Sequence, residues 1–82
     1  MEPKQKSFFE LIDDYVSEFI PKHLNSSGLY EKMLAQFERS LIGVTLKATD
    51  DNQSKTASIL GLHRTTLRKK IKELNIKHDA KA

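Results

Sequence analysis

The sequence predicts an all-α fold of four helices, two long N-terminal ones followed by two short ones, within a single domain over residues 1–82. Apolar residues recur at helical rather than alternating intervals along most of the chain. With only 3 Gly, 2 Pro and 30% charged residues, the composition fits a folded helical chain and not a disordered one. At 82 residues a monomeric core is marginal, so help from a partner chain is expected. There is no cysteine, which excludes a disulfide framework, a thiolate metal site and a cysteine nucleophile.

The first helix is expected over about Phe8 to Ile20. Ser7 and Glu10 have capping-box spacing, and Phe8, Ile12, Tyr15 and Phe19 share one face that Leu11, Val16 and Ile20 widen. Glu10, Asp13, Asp14 and Glu18 interrupt this run, which rules it out as a membrane span or a signal-peptide core. A soluble, cytoplasmic chain is expected. Pro21 is read as the stop, and Asn25-Ser26-Ser27-Gly28 as the linker that opens the next helix.

The second helix is expected over about Leu29 to Ala48. Leu29, Met33, Phe37 and Val44 form one stripe, flanked by Tyr30, Leu34 and Leu41, while Ala35, Ile42 and Leu46 fall on roughly the opposite side. A helix apolar on two sides lies between two bodies. Here those are the first helix with a partner subunit, and the C-terminal helices. This predicts dimerisation helices over about 7–48, with Tyr15, Phe37, Leu41 and Ile42 as interface residues. The alternative is that Ala35, Ile42 and Leu46 are scattered surface residues.

Asn52 can cap a short third helix over Gln53 to Leu60, Gly61 can adopt a left-handed turn, and a fourth helix begins near Arg64. Two short helices joined by a three-residue, Gly-containing turn spell a helix-turn-helix over about 52–76. Ala57 stands where a bulky side chain would hold the fourth helix away, and Leu60, Leu62 and Leu67 supply apolar contacts. In the fourth helix Leu67, Ile71 and Leu74 form the inward stripe. Arg64, Thr65, Arg68, Lys69 and Lys72 lie within about 140° of one another at about 100° per residue, well away from that stripe. Lys70 lies on a flank.

Charge follows the same division. Residues 1–51 hold six Lys/Arg against nine Asp/Glu, and residues 52–82 hold eight against two, so the halves are −3 and +6. A basic segment of this kind suits a polyanion. An α-helix fits the B-DNA major groove, where arginine bonds guanine O6 and N7 in bidentate fashion, while lysine and hydroxyl groups more often meet phosphates. Arg64 and Arg68 are therefore the expected base readers, with His63 and Thr66 able to touch a base edge. Asn52, Ser54, Thr65, Lys69 and Lys72 are expected on the DNA backbone.

The run from Asn52-Gln53-Ser54-Lys55-Thr56-Ala57 through Gly61-Leu62-His63-Arg64-Thr65-Thr66-Leu67-Arg68-Lys69-Lys70-Ile71-Lys72 resembles the Fis-type helix-turn-helix of bacteria. This module is that of the nucleoid protein Fis and of the C-terminus of NtrC-like transcriptional activators. Leu29-Tyr30-Glu31, Glu38-Arg39 and Leu41 extend the resemblance upstream, over about two thirds of the chain. It implies a homodimer whose first two helices intertwine and whose recognition helices enter adjacent major grooves of bent double-stranded DNA. The base-contacting arginines of the family fall on Arg64 and Arg68, its threonine on Thr66, its lysine on Lys69, and its backbone-clamping pair on Asn52 and Ser54. His63 departs from an asparagine frequent in Fis itself. Residues 1–27 read as one helix where enteric Fis has a β-hairpin arm, so recombinase stimulation is not carried over.

Sequence-biased DNA binding and bending in transcription regulation or nucleoid organisation is the expected function, with RNA polymerase and other regulatory proteins as further candidate partners. Met1 and a tail that ends soon after the last helix fit a self-standing protein. The alternative is the excised C-terminal domain of an NtrC-like activator. No metal, cofactor or catalytic group is expected. His23, His63 and His78 are too dispersed for a zinc spacing, and Asp13 and Asp14 point about 100° apart on a helix. A chain this short has little volume for an enzyme pocket. A basic module docking on an acidic partner or a membrane would need an exposed apolar face, whereas Leu67, Ile71 and Leu74 are needed for internal packing.

Overall fold

The computed structural model describes residues 5–77, so the ends of the 1–82 span and His78 lie outside the described residues. Four α-helices run in order: α1 over Phe8–Phe19, α2 over Leu29–Ala48, α3 over Gln53–Leu60 and α4 over Arg64–Glu73. No strand occurs among the described residues.

Ser7 caps α1 as its spacing predicts: its backbone is extended, and its Oγ accepts the Glu10 N–H at 3.2 Å. The expected end of the helix just before Pro21 holds to within one residue. α1 ends at Phe19, and the chain winds on through Pro21 as a 3₁₀ turn over Ile20–His23. Proline is tolerated there because the N–H it lacks would have no intrahelical partner at the start of a turn. Stacked rings bridge the junction, with Tyr15 and Phe19 centroids 5.8 Å apart and Phe19 and His23 centroids 3.9 Å apart. The His23 Nδ1 proton is donated to the Phe19 carbonyl at 2.8 Å.

Gly28 opens α2 in the left-handed region at φ +73°, so the linker ends on backbone geometry, with no side-chain cap. The closing turns of α2, α3 and α4 share one device. Asp51, Leu62 and Ile76 donate their N–H groups back to the carbonyls of Leu46, Ala57 and Ile71, at 2.8, 2.9 and 3.0 Å. In each turn the preceding residue is left-handed: Asp50 at φ 56°, Gly61 at φ 73° and Asn75 at φ 54°. These are Schellman turns, which satisfy the orphan carbonyls of a helix end. Asp51 is left-handed as well, at φ 64°.

The core lies at the C-terminal end. Ile42 and Leu46 of α2, Ala57 of α3, and Leu67 and Ile71 of α4 are buried together, with Leu60, Leu62, Leu74 and Ile76 packed partly buried around them. Thr56 is fully buried beside this cluster, its hydroxyl 2.7 Å from that of Thr49. The Thr49 oxygen also lies 3.2 Å from the Leu46 carbonyl. The Asn52 carbonyl lies 3.3 Å from the same oxygen; since carbonyls only accept, the one Thr49 proton goes to these two carbonyls and Thr56 donates to Thr49.

Ile42 was expected at a subunit interface, and the structure moves it. At 2% exposure it belongs to the core of its own chain, because the Ile42–Leu46 side of α2 faces the helix-turn-helix. On the other side of α2, Tyr30, Leu34, Phe37, Leu41 and Val44 remain exposed, and α1 contains no buried residue. Phe8 reaches Phe37 across the hairpin with ring centroids 6.0 Å apart. Between α1 and α2 an open apolar groove of about 1120 Å³ is lined by Phe8, Ile12, Tyr15, Phe19, Met33 and Phe37 among others. The Cα radius of gyration is 15.7 Å, where a compact chain of this length has about 12 Å.

Candidate nucleic-acid interface

The burial of Leu67 and Ile71 determines what α4 can present. With those two side chains turned into the core, Arg64, Thr65, Arg68, Lys69 and Lys72 stand exposed on the remaining surface of the helix. The structure brings these five residues together on a single basic face.

Thr66 is half-buried beside Leu67, at the margin of this face. His63 occupies the N-cap position of α4 with extended backbone and no side-chain cap bond, so its ring is exposed at the helix start. Lys69 lies 3.9 Å from Glu73, one turn on, and both side chains are well exposed. A surface pair of this kind contributes little to stability and leaves Lys69 able to exchange partners.

Lys70 behaves differently from its neighbours. Its ammonium turns back to α2 and pairs with Glu38 at 2.5 Å, with side chains only 32% and 27% exposed. It is thereby withdrawn from the basic face.

Asn52 and Ser54 stand at the start of α3, both exposed. The Asn52 Oδ1 accepts the Lys55 N–H at 2.9 Å, so the cap occupies the oxygen and leaves the amide group of the side chain as a donor. Gln53, which sequence reasoning passed over, is half-buried and faces a shallow recess of about 510 Å³ that it shares with Arg68, Lys72 and Asn75. Its signal was weak because a glutamine at a helix start is ordinary surface composition.

Of the residues expected at a dimer interface, Tyr15, Phe37 and Leu41 are exposed on α1 and α2, and Ile42 is not available. Among the described residues no group of three or more His, Asp or Glu side chains could hold a metal ion. None of the described helices is long and apolar enough to cross a membrane.

A family model described as bacterial regulatory protein, Fis family, matches residues 33–74, which run from the second turn of α2 to just past the end of α4. Among curated proteins, the DNA-binding transcriptional regulator NtrC of Azospirillum brasilense is 40% identical over 78 residues, covering 92% of this chain and 16% of its own length. NtrC of Rhizobium meliloti is 55% identical over 53 residues, covering 65% of this chain and 11% of its own length. The DNA-binding protein Fis of Pasteurella multocida is 34% identical over 71 residues, 87% of this chain and 70% of that protein. The chain thus spans about a sixth or less of these NtrC relatives and more than two thirds of this Fis. No solved structure matches it significantly.

Proposed function

The chain belongs to the Fis family of bacterial regulatory proteins, and on that premise we propose that two copies pair through α1 and α2 and set their α4 helices into adjacent major grooves of double-stranded DNA. The observation that carries the reading is the two-sided α4, with Leu67 and Ile71 sealed in the core and five DNA-compatible side chains opposite them. Arg64 and Arg68 read base edges, with His63 and Thr66 beside them. Asn52, Ser54, Thr65, Lys69 and Lys72 hold phosphates, supply most of the affinity and make it salt-dependent. Bending of the DNA adds a readout of its flexibility. The protein works by binding, as a transcription regulator or nucleoid-associated protein of the cytoplasm.

Pairing has its own support. Tyr30, Leu34, Phe37, Leu41 and Val44 are all exposed and alternate by four and three residues, the seam spacing of paired helices. A second copy presenting the same stripe would cover it, and with it the groove under α1.

The likeness to NtrC over nearly the whole chain favours a second reading, in which the same domain serves as the DNA-binding end of an NtrC-like activator. The chemistry of the interface is identical in both readings.

The test is a gel-shift titration of random and AT-centred duplexes at two salt concentrations, alongside the sedimentation mass of the free protein. A dimeric mass with salt-sensitive, sequence-biased shifts is expected. A monomer that shifts no duplex would overturn the reading.

A further inference from the structure

Lys70 ends a basic run, Arg68-Lys69-Lys70, where composition alone would count it as a phosphate contact. The structure gives it a different partner. Its ammonium pairs at 2.5 Å with Glu38, one turn before Ile42 on the side of α2 that faces the helix-turn-helix. Both side chains are about two-thirds buried, whereas Lys69, the preceding residue, is 72% exposed.

Beyond the shared core, the end of α4 has another attachment to α2. After the turn at Asn75, Ile76 lies against α2 at Gly43, where a Cβ would come within 3.9 Å of the Ile76 side chain. Glu38 and Gly43 are about 7.5 Å apart along the α2 axis at 1.5 Å per residue. Added to the core that Ile42 and Leu46 share with Leu67 and Ile71, two attachments at this separation restrain the direction of α4 relative to α2.

We propose that the Glu38–Lys70 ion pair is a positioning device that sets the angle of the recognition helix relative to the dimerisation helix, and that Lys70 is not a DNA ligand. The inference rests on the proposed dimeric DNA binding, because the angle between α2 and α4 then sets the spacing of the two recognition helices, and so the half-site separation the dimer accepts. A partly buried ion pair suits this role. Its contribution to stability is small or negative after desolvation, but an unpaired partner is unfavourable, so the paired geometry is selected over its neighbours.

The test measures binding of the full chain, wild type and the variants Lys70→Met, Lys70→Arg and Glu38→Gln, to duplexes carrying two half-sites at graded separations, over a range of salt. Wild type should prefer one separation. Lys70→Met and Glu38→Gln should each lose about tenfold on that duplex while a single half-site changes less than twofold, and Lys70→Arg, which keeps the pair, should stay near wild type.

The salt slope of Lys70→Met should equal that of wild type. A slope shallower by about 0.9 would mean that Lys70 contacts a phosphate, and would overturn the proposal. So would unchanged separation profiles in both Lys70→Met and Glu38→Gln. A double-mutant cycle on thermal stability covers variants that lose the fold, since zero coupling between positions 38 and 70 would also overturn the pairing. Failure of wild type to bind any duplex would refute the functional reading instead, and the cycle would still test the ion pair.

Discussion

In the half formed by the end of α2 with α3 and α4, the side chains of Ile42, Leu46, Thr56, Ala57, Leu67 and Ile71 are buried within one chain. In the half formed by α1 and the start of α2, Phe8, Phe9, Leu11, Tyr15, Tyr30 and Leu34 remain exposed. Both halves are rich in large apolar residues, and what differs is where the covering surface comes from. The helix-turn-helix closes on itself because Ala57 lets α4 approach and α2 supplies two large side chains. The N-terminal hairpin has only one helix to lay on another, which leaves a groove open between them. Fully burying a Phe or Leu side chain is worth about 1.5–3 kcal/mol, so the exposed set is a large reserve of free energy for association. One half is thus closed within the chain, and the other keeps open the apolar surface that the proposed pairing would cover.

The strongest way to break this comparison is Leu41→Asp. Leu41 is 43% exposed in the proposed seam, on the side of α2 away from the core, so the substitution should strike the proposed pairing and spare the helix-turn-helix. Sedimentation should show the mass halved, and affinity for a two-half-site duplex should fall about a hundredfold or more as bivalent binding is lost. Circular dichroism should still report folded α3 and α4. Dimers of unchanged mass would place the contact elsewhere on the hairpin.

A smaller effect sharpens the functional side of the comparison. Arg64→Ala should weaken specific duplexes by about 1–3 kcal/mol and flatten sequence preference. Lys69→Ala should weaken all duplexes alike and reduce the salt slope by about 0.9. Competition titrations against random DNA separate the two outcomes. Equal loss of specificity from both variants would sink the division between base readers and phosphate contacts on α4.

The sequence was most legible where side chains carry the structural signal. Asn52 as a cap and Gly61 as a left-handed turn placed α3 and the start of α4 where the structure has them, and the stripe of Leu67 and Ile71 oriented the basic face. Three things were less legible, for physical reasons. Periodicity shows that a face of α2 is apolar but not what it meets, so Ile42 was assigned to a partner when the chain's own α4 covers it. Asp50 and Asn75 hold left-handed turns that glycine would have announced, yet Asp and Asn are equally common as caps and surface residues. Lys70 looked like one more cation in a basic run, because spacing puts it on a flank and says nothing of a glutamate from another helix.

Thr56 belongs with these, since a threonine between Lys55 and Ala57 is ordinarily read as exposed. It is fully buried, and its hydroxyl has Thr49 as partner at 2.7 Å, with Thr49 in turn donating toward the Leu46 and Asn52 carbonyls. This chain of bonds ties the α2–α3 corner to the core and predicts an asymmetry. Thr56→Val removes the inner hydroxyl, leaves Thr49 still donating to a backbone carbonyl, and should cost about 1 kcal/mol. Thr49→Ala leaves the Thr56 hydroxyl buried with no partner and should cost about 1–3 kcal/mol. Because both act through the same bond, the double variant should cost less than the two singles combined. Urea midpoints of the three variants decide it: strictly additive costs, or a smaller cost for Thr49→Ala, would show that the hydroxyl pair does not hold the corner.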